Sequence, residues 1–244
     1  VSAQVDPRLI TDTPEMLRQG IGLKALAPNI MVKSPATKEG VYNIMLLTAL
    51  GIPTNATVCF TLSQILAVAE AVRQGKAIGE ANGVDYTKWR SVITLMLGRF
   101  EGAKEFKEQA AAAGVELTDE ILRWSGLAIA KKAVRILAQK GYESKLLLCS
   151  SRLGPVVDGK QMVWHIEKMA GEPVVYTINP EMIGDFLKLY EDEPITNHRG
   201  EDIPDDILAQ LIKIPYFRVG YEANGMSAEE FVHHPCSVST AKGF

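Results

Sequence analysis

Asn29-Ile30-Met31-Val32-Lys33-Ser34-Pro35-Ala36-Thr37-Lys38-Glu39-Gly40 joins a short apolar run to a proline turn and the start of a helix. Residues 29–33 show no alternation of apolar and polar side chains. A strand of that kind is buried on both faces, as in a parallel sheet covered by helices. Lys33 closes the run, and the carboxyl end of such a strand is where parallel barrels collect their functional groups. Working outward, the same cadence returns at Val1–Val5, Asn55–Phe60, Ser91–Leu97, Lys145–Ser150 and Pro173–Ile178.

Helix signals fill the gaps. Thr13-Pro14-Glu15 reads as a cap, a proline in the first turn and an early acid. Thr61-Leu62-Ser63-Gln64 is a capping box, and Ile65, Val68, Ala69 and Val72 behind it mark one apolar face. Thr118 opens a long helix with a stripe of Leu127, Ala130, Val134 and Leu137, closed by Gly141. Asn179-Pro180-Glu181 repeats the cap-plus-proline signal before Met182–Tyr190. Phe100–Thr118 reads as helical, and Gly75–Arg90 as a helix end and loop. The order is βα repeated through six strands, which suits an open doubly wound sheet or a (β/α)8 barrel short of two units. No Gly-x-Gly-x-x-Gly follows a strand and no Gly-x-x-x-x-Gly-Lys-[Ser/Thr] occurs, so the nucleotide-binding loops of open sheets are lacking. Residues 1–193 are expected to form the βα-barrel units, and 194–244 a C-terminal helical segment of the same domain.

Composition narrows the classes further. The chain has 244 residues, 47% hydrophobic and 23% charged, with a formal net charge of -3. A disordered chain is excluded, and the slight acidity argues against a nucleic-acid groove built on bulk positive charge. No run approaches the roughly 18 apolar residues of a membrane helix. Three cysteines, Cys59, Cys149 and Cys236, form no Cys-x-x-Cys pair, which argues against a disulfide framework and a thiolate zinc site. A reducing, cytoplasmic location is the expectation. The first residue is Val1, already inside a β-like run, and an upstream piece is expected to be missing.

Polar residues at strand ends are the chemical candidates. A lysine turned into a barrel loses hydration, which lowers its pKa and frees the amine as a nucleophile; a strand-end lysine also commonly snorkels to solvent or pairs with an acid. Position alone leaves Lys33 open between the two. Arg99 can hold a phosphate bidentately or make a salt bridge across a barrel mouth. Asn55 and Thr57 share a strand face and can meet a ligand or cap neighbouring turns. Gln4, Thr94 and Ser150 stand at equivalent strand ends. His233-His234-Pro235 reads as a solvated tail without the spaced further ligands of a metal site, and His165 as surface or half-buried. Cys149 reads as structural, and Asp202, Asp205 and Asp206 as a helix N-terminus.

Residues 30–40 resemble the Schiff-base strand of the transaldolase family, in which a strand ends in lysine and a Pro-Ala-Thr turn leads into a helix opening with Glu-Gly. Val1–Leu9 is similar to the family's third-strand segment, and Gly51-Ile52-Pro53-Thr54-Asn55-Ala56-Thr57 to its Gly-Ile-x-x-Asn-x-Thr strand. Gly98-Arg99 resembles the end of its sixth strand, and Ser150-Ser151-Arg152 its seventh. The resemblance covers most of residues 1–190. It implies a TIM-type (β/α)8 barrel of class I aldolase kind, of which this chain holds strands 3–8 plus C-terminal helices. It implies transfer of a dihydroxyacetone unit from a ketose phosphate to an aldose phosphate through an imine on Lys33, in the pentose phosphate pathway or a related route, with no cofactor and no metal. By the same resemblance Asn55 bonds the three-carbon unit, Thr57 orients a catalytic water, Thr94 holds a substrate hydroxyl, Arg99 binds phosphate and Ser150 joins the substrate-binding residues. Small sugar phosphates are the expected partners, with no nucleic acid and no membrane; a homo-oligomer is compatible.

The departures define the alternatives. Gln4 stands where the family has a proton-shuttling Glu; fructose 6-phosphate aldolases also carry Gln there, which favours an enzyme that releases free dihydroxyacetone. Met96 stands where Phe, or Tyr in the aldolases, is usual, and Ser151 where Phe is usual. The family's first two strands, with a catalytic Asp and a substrate-binding Asn, are not in these residues. Six strands do not close an eight-strand barrel, so a non-catalytic fragment or sugar-phosphate-binding module is the third reading.

Overall fold

Six parallel strands follow one another in chain order across a single curled sheet, in a computed structural model that describes residues 1–242. They are β1 (Ser2–Gln4), β2 (Met31–Pro35), β3 (Thr54–Cys59), β4 (Ser91–Met96), β5 (Lys145–Cys149) and, beyond a small antiparallel hairpin of β6 (Val156–Val157) and β7 (Lys160–Gln161), β8 (Val175–Thr177). The sheet is a partial TIM-type barrel with β1 and β8 at its two edges. Its helices are α1 (Thr13–Leu26), α2 (Lys38–Ala49), α3 (Leu62–Ala81), α4 (Leu97–Glu101), α5 (Lys104–Ala112), α6 (Asp119–Gln139), α7 (Trp164–Glu167) and α8 (Pro180–Leu189). After them come α9 (Asp205–Leu211), α10 (Pro215–Tyr221), a 3-10 turn at Ala228–His233 and α11 (Pro235–Lys242). Gly243 and Phe244, the end of the expected helical segment, lie outside the described residues. Among the described residues no helix is long and apolar enough to cross a membrane.

The pleat of the strands sorts the side chains. Val32 turns outward and is fully buried with Val5, Met16, Leu47 and Ile52 under α1 and α2. Ala56, Ile93, Leu95, Leu146 and Leu148 join the larger core with the inward faces of α3 and α6. The intervening residues, Lys33, Asn55, Thr94 and Cys149 among them, therefore face the barrel interior. Burial on both faces is why these strands carry no alternating pattern.

Several expectations shift. β2 does not stop at Lys33 but runs to Pro35. Met31 donates its N–H to Val1 while Val32 donates to Pro53, so odd residues bond towards β1 and even ones towards β3. Pro35 thus lacks only a bond towards β1, which has already ended at Gln4. The first and last strands are shorter than expected, and the cap of α1 is Asp12 rather than Thr13, its carboxylate accepting from the Glu15 N–H. Gly75 and Gly79 lie within α3, not in a loop, because a Cβ at Gly75 would crowd Thr48 and the Met45 carbonyl of α2. The glycines there let two helices touch; only 82–90 is loop. The 156–161 hairpin, absent from the expectations above, turns on Asp158-Gly159, both at positive φ (50 and 79), the residue pair that a two-residue hairpin turn favours.

Candidate active site

The carboxyl ends of β1 to β5 line one mouth, and the Lys33 strand, β2, stands between β1 and β3. Gln4, Lys33 and Asn55 sit at the same level on three adjacent strands. The turn after Lys33 is fixed from several sides. Ser34 Oγ donates to the Gly40 carbonyl and accepts from Asn43 Nδ2 at 3.0 Å. Thr37 caps α2, accepting from the Gly40 N–H at 3.0 Å and donating to the Ile10 carbonyl at 2.7 Å. Gln64 Nε2, in the first turn of α3, donates to the Ala36 and Val58 carbonyls. Gly40 is required, since a Cβ there would overlap the Pro35 carbonyl. Two helices and the segment before α1 therefore hold the backbone that aims Lys33.

Lys33 is half-buried, and no carboxylate forms an ion pair with it among the described residues. Desolvation pushes its pKa down from the ordinary lysine value; a favourable contribution from the Cys149 sulfur opposes this and the Arg99 charge adds to it. Cys149 is in turn pushed up to about 11 by burial. At neutral pH the pair is thus a thiol beside an amine that is easier to deprotonate than a free lysine.

Asn55 and Thr94 are buried and bonded to each other, Thr94 Oγ1 donating to Asn55 Oδ1 at 2.7 Å, while Asn55 Nδ2 donates to Ser2 Oγ at 3.0 Å. Ser2 has no distinguishing sequence signal; its place one pleat below Gln4 is what brings it in. Thr57 is buried and its hydroxyl has no hydrogen-bond partner among the described residues. A register shift between Ala56 and Cys59 puts Val58 at φ 53, an uncommon state for a β-branched residue, directly beside it.

Arg99 is exposed on the first turn after β4, and its guanidinium donates to Thr240 Oγ1 of α11 at 3.1 Å. The alternative salt bridge across the mouth is not made among the described residues. Ser150 takes φ 61 directly after β5, and its carbonyl accepts the Gly98 N–H at 3.1 Å, so close that a Cβ at Gly98 would overlap it. The Arg152 side chain lies over Gly98 as well, its Cγ and Nε among the atoms that a Cβ there would meet. The mouth therefore gathers Lys33, Gln4, Asn55, Thr57, Thr94, Arg99 and Ser150, and the structure adds Ser2 through its bond to Asn55.

Two histidine expectations are overturned. His165 is fully buried: its Nδ1 accepts the Arg152 N–H at 3.1 Å, so Nε2 carries the proton and donates to Glu101 Oε1 at 2.7 Å. Burial first, then the Arg123 and Arg152 charges, hold its pKa well below the usual histidine range. His234 is not solvated; it is buried and stacked on Phe60 at a centroid distance of 5.6 Å. Of that pair only His233 is exposed. Both errors come from reading local polarity where a distant aromatic or acid supplies the partner.

The family model described as Transaldolase/Fructose-6-phosphate aldolase matches residues 1–230. The chain belongs to that family. A transaldolase of Thiobacillus denitrificans is 27% identical over 242 residues, spanning 93% of this chain and 65% of that protein. Transaldolase 1 of Streptomyces avermitilis is 33% identical over 145 residues, 59% of this chain and 36% of its own length. A transaldolase of an Arthrobacter species is 33% identical over 138 residues, 56% of this chain and 37% of its own. The chain thus spans less than two thirds of the length of these curated relatives. Similarity to the transaldolase/fructose-6-phosphate aldolase family continues well past the lysine strand into the helical segment, up to residue 230.

Proposed function

We propose that Lys33 forms an imine with a ketose phosphate and that the chain serves dihydroxyacetone transfer, a transaldolase reaction of the pentose phosphate pathway or a related route. The observation that carries this reading is the Lys33 amine: desolvated, without an acid partner among the described residues, and level with Gln4 and Asn55. Desolvation favours the neutral amine, whose lone pair attacks a carbonyl. Loss of water then gives a protonated imine. When the C3–C4 bond breaks, its electron pair moves onto the imine nitrogen, leaving a dihydroxyacetone enamine on Lys33 and an aldose phosphate. The C4 hydroxyl gives up its proton as the bond breaks; in the family an aspartate would accept it, on a strand that these residues do not include. Attack of the enamine on an acceptor aldose phosphate and hydrolysis return the free lysine.

The remaining residues support binding. Asn55 and Thr94 offer an amide and a hydroxyl to the three-carbon unit, Ser150 a hydroxyl from the next strand end, and Arg99 the charge for a phosphate. In this reading residues 1–193 supply the barrel units and 194–244 a helical segment of the same domain. The cysteines among the described residues are unpaired, which fits a reducing, cytoplasmic setting.

Borohydride reduction with fructose 6-phosphate tests it. A three-carbon adduct is expected on Lys33 alone, located by peptide mass, and none in Lys33→Arg, whose guanidinium stays protonated. An adduct elsewhere, or none, contradicts the reading. Gln4 favours a second reading, release of free dihydroxyacetone, because an amide cannot titrate in the proton transfers of a turnover. Product analysis with and without an aldose phosphate acceptor separates transfer from release.

A further inference from the structure

Gln4 and Thr57 border a narrow cleft at the mouth that α11 closes from above, with Pro35, Thr37 and Ser237 also in its wall. Its volume is about 10 Å³, room for a single water. The Thr37 hydroxyl is spent on the Ile10 carbonyl and the Gly40 N–H. Thr57 and Ser237 are different. They are 1% and 4% exposed, and neither hydroxyl has a hydrogen-bond partner among the described residues. An unsatisfied buried hydroxyl is costly, and here two of them, from opposite ends of the chain, border the same water-sized space.

Ser237 is held there firmly. His234, three residues earlier, stacks on Phe60 and Phe100. Cys236 Sγ lies 3.0 Å from Tyr216 Oη and donates to the Arg99 carbonyl at 3.4 Å. Thr240, one turn later, accepts from Arg99. α11 is thereby tied to α4 and α10, and Ser237 is delivered to the cleft by an anchored helix.

We infer that Ser237 is a positioning residue: with Thr57 and Gln4 it holds one water beside the Lys33 strand, and that water carries the proton when the imine forms. The inference rests on the imine reading above. When the Lys33 nitrogen bonds to the substrate carbon, the carbonyl π pair moves to oxygen, leaving a cationic nitrogen and an alkoxide. The water gives a proton to the oxygen and takes one from the nitrogen, so the proton count closes. No titrating side chain is needed for this exchange, which is why an amide at Gln4 suffices when two hydroxyls share the water.

The test is the rate at which the borohydride-trappable Lys33 adduct appears after mixing the full chain with fructose 6-phosphate. Ser237→Ala is expected to slow it at least tenfold, because the water that moves the proton loses one of the groups that hold it. The final adduct yield and the KM should stay near wild type, and Ser237→Thr should restore most of the rate. Thr57→Ala combined with Ser237→Ala should be little slower than the worse single variant, because both act through one water. Wild-type rates in Ser237→Ala, or fully multiplicative losses in the double variant, overturn the inference while leaving the imine intact. A Ser237→Ala chain that loses its thermal transition, with Ser237→Thr no better, also overturns it in favour of a packing role. Absence of any adduct in the wild type removes the imine reading, and this inference with it.

Discussion

Two polar clusters flank α4, which supplies Glu101 to one and Arg99 to the other, and they contrast in how their valences are used. In the first, Glu101 accepts from His165 with one oxygen and pairs with Arg123 through the other, while the second His165 nitrogen takes the Arg152 N–H. In the second, Lys33 has no acid, Thr57 no partner among the described residues, and Arg99 only a threonine hydroxyl. Both clusters hold titratable groups taken from water. The first spends its charged groups on one another, leaving only Arg123 Nε without a partner among the described residues, and ties α4, α6 and α7 together; the second keeps an amine and a guanidinium without an acid, free for a ligand. Burial of a charged residue therefore does not by itself mark chemistry. The valence left over does.

The sharpest way to break this contrast is Glu101→Ala. It leaves the Arg123 charge and the His165 Nε2–H without their acceptor, and a broken buried pair typically costs about 3–5 kcal/mol. Urea unfolding should show a correspondingly lower midpoint at unchanged slope. A loss under 1 kcal/mol would place Glu101 outside the structural cluster.

Acid should act on both sides of the comparison, through His165 in the first cluster and through His234, which anchors α11 beside the second. Burial pulls His234 from 6.5 down to about 4. Between those values the unfolded chain binds the proton and the folded one does not, so stability falls as pH drops through this window, by about 3 kcal/mol from this group. His165 works in the same direction. His234→Phe, which keeps the stack on Phe60, should flatten the fall between pH 6.5 and 4; an unchanged slope contradicts the assignment.

At the mouth the effects should appear in ligand handling. Arg99→Ala removes a charge-assisted contact worth about 1.5–3 kcal/mol, so the KM for phosphorylated ketoses should rise roughly ten- to a hundredfold while dihydroxyacetone is handled as before. Equal losses for both would make Arg99 a structural residue. The smallest expected change is in the stability of Lys33→Met. The folded pKa of Lys33 is lowered, so at neutral pH the ammonium is a cost of folding, and that cost vanishes in the variant. Stability should hold or rise; a fall comparable to that of Glu101→Ala would erase the distinction between the two clusters.

The chain of residues around Lys33 was legible because its determinants are local. The apolar run, the Thr37 cap and Gly40 all lie within the quoted stretch, and the βα order follows from caps and glycines read one after another. The sites that were not legible depend on partners far along the chain. His165 is buried because Glu101, 64 residues earlier, takes its proton bond, and His234 because Phe60 and Phe100 offer ring faces. Ser237 looks like one serine among several until α11 sets it opposite Thr57. Gly75 and Gly79 read as helix breakers because the helix they touch is not visible from their own neighbours.

Lys33 and Lys38 allow the central claim to be tested within one peptide. Lys38 is exposed and paired with Glu229 at 2.9 Å, which raises its pKa, whereas desolvation lowers that of Lys33 from the same starting value of 10.5. Labelling both amines with a small acylating reagent across pH, and reading each by peptide mass, gives two apparent pKa values under identical conditions. Lys33 should titrate below 10.5 and clearly below Lys38. If Lys33 instead titrates at or above Lys38, its amine is an ordinary surface ammonium and the proposed nucleophile is lost.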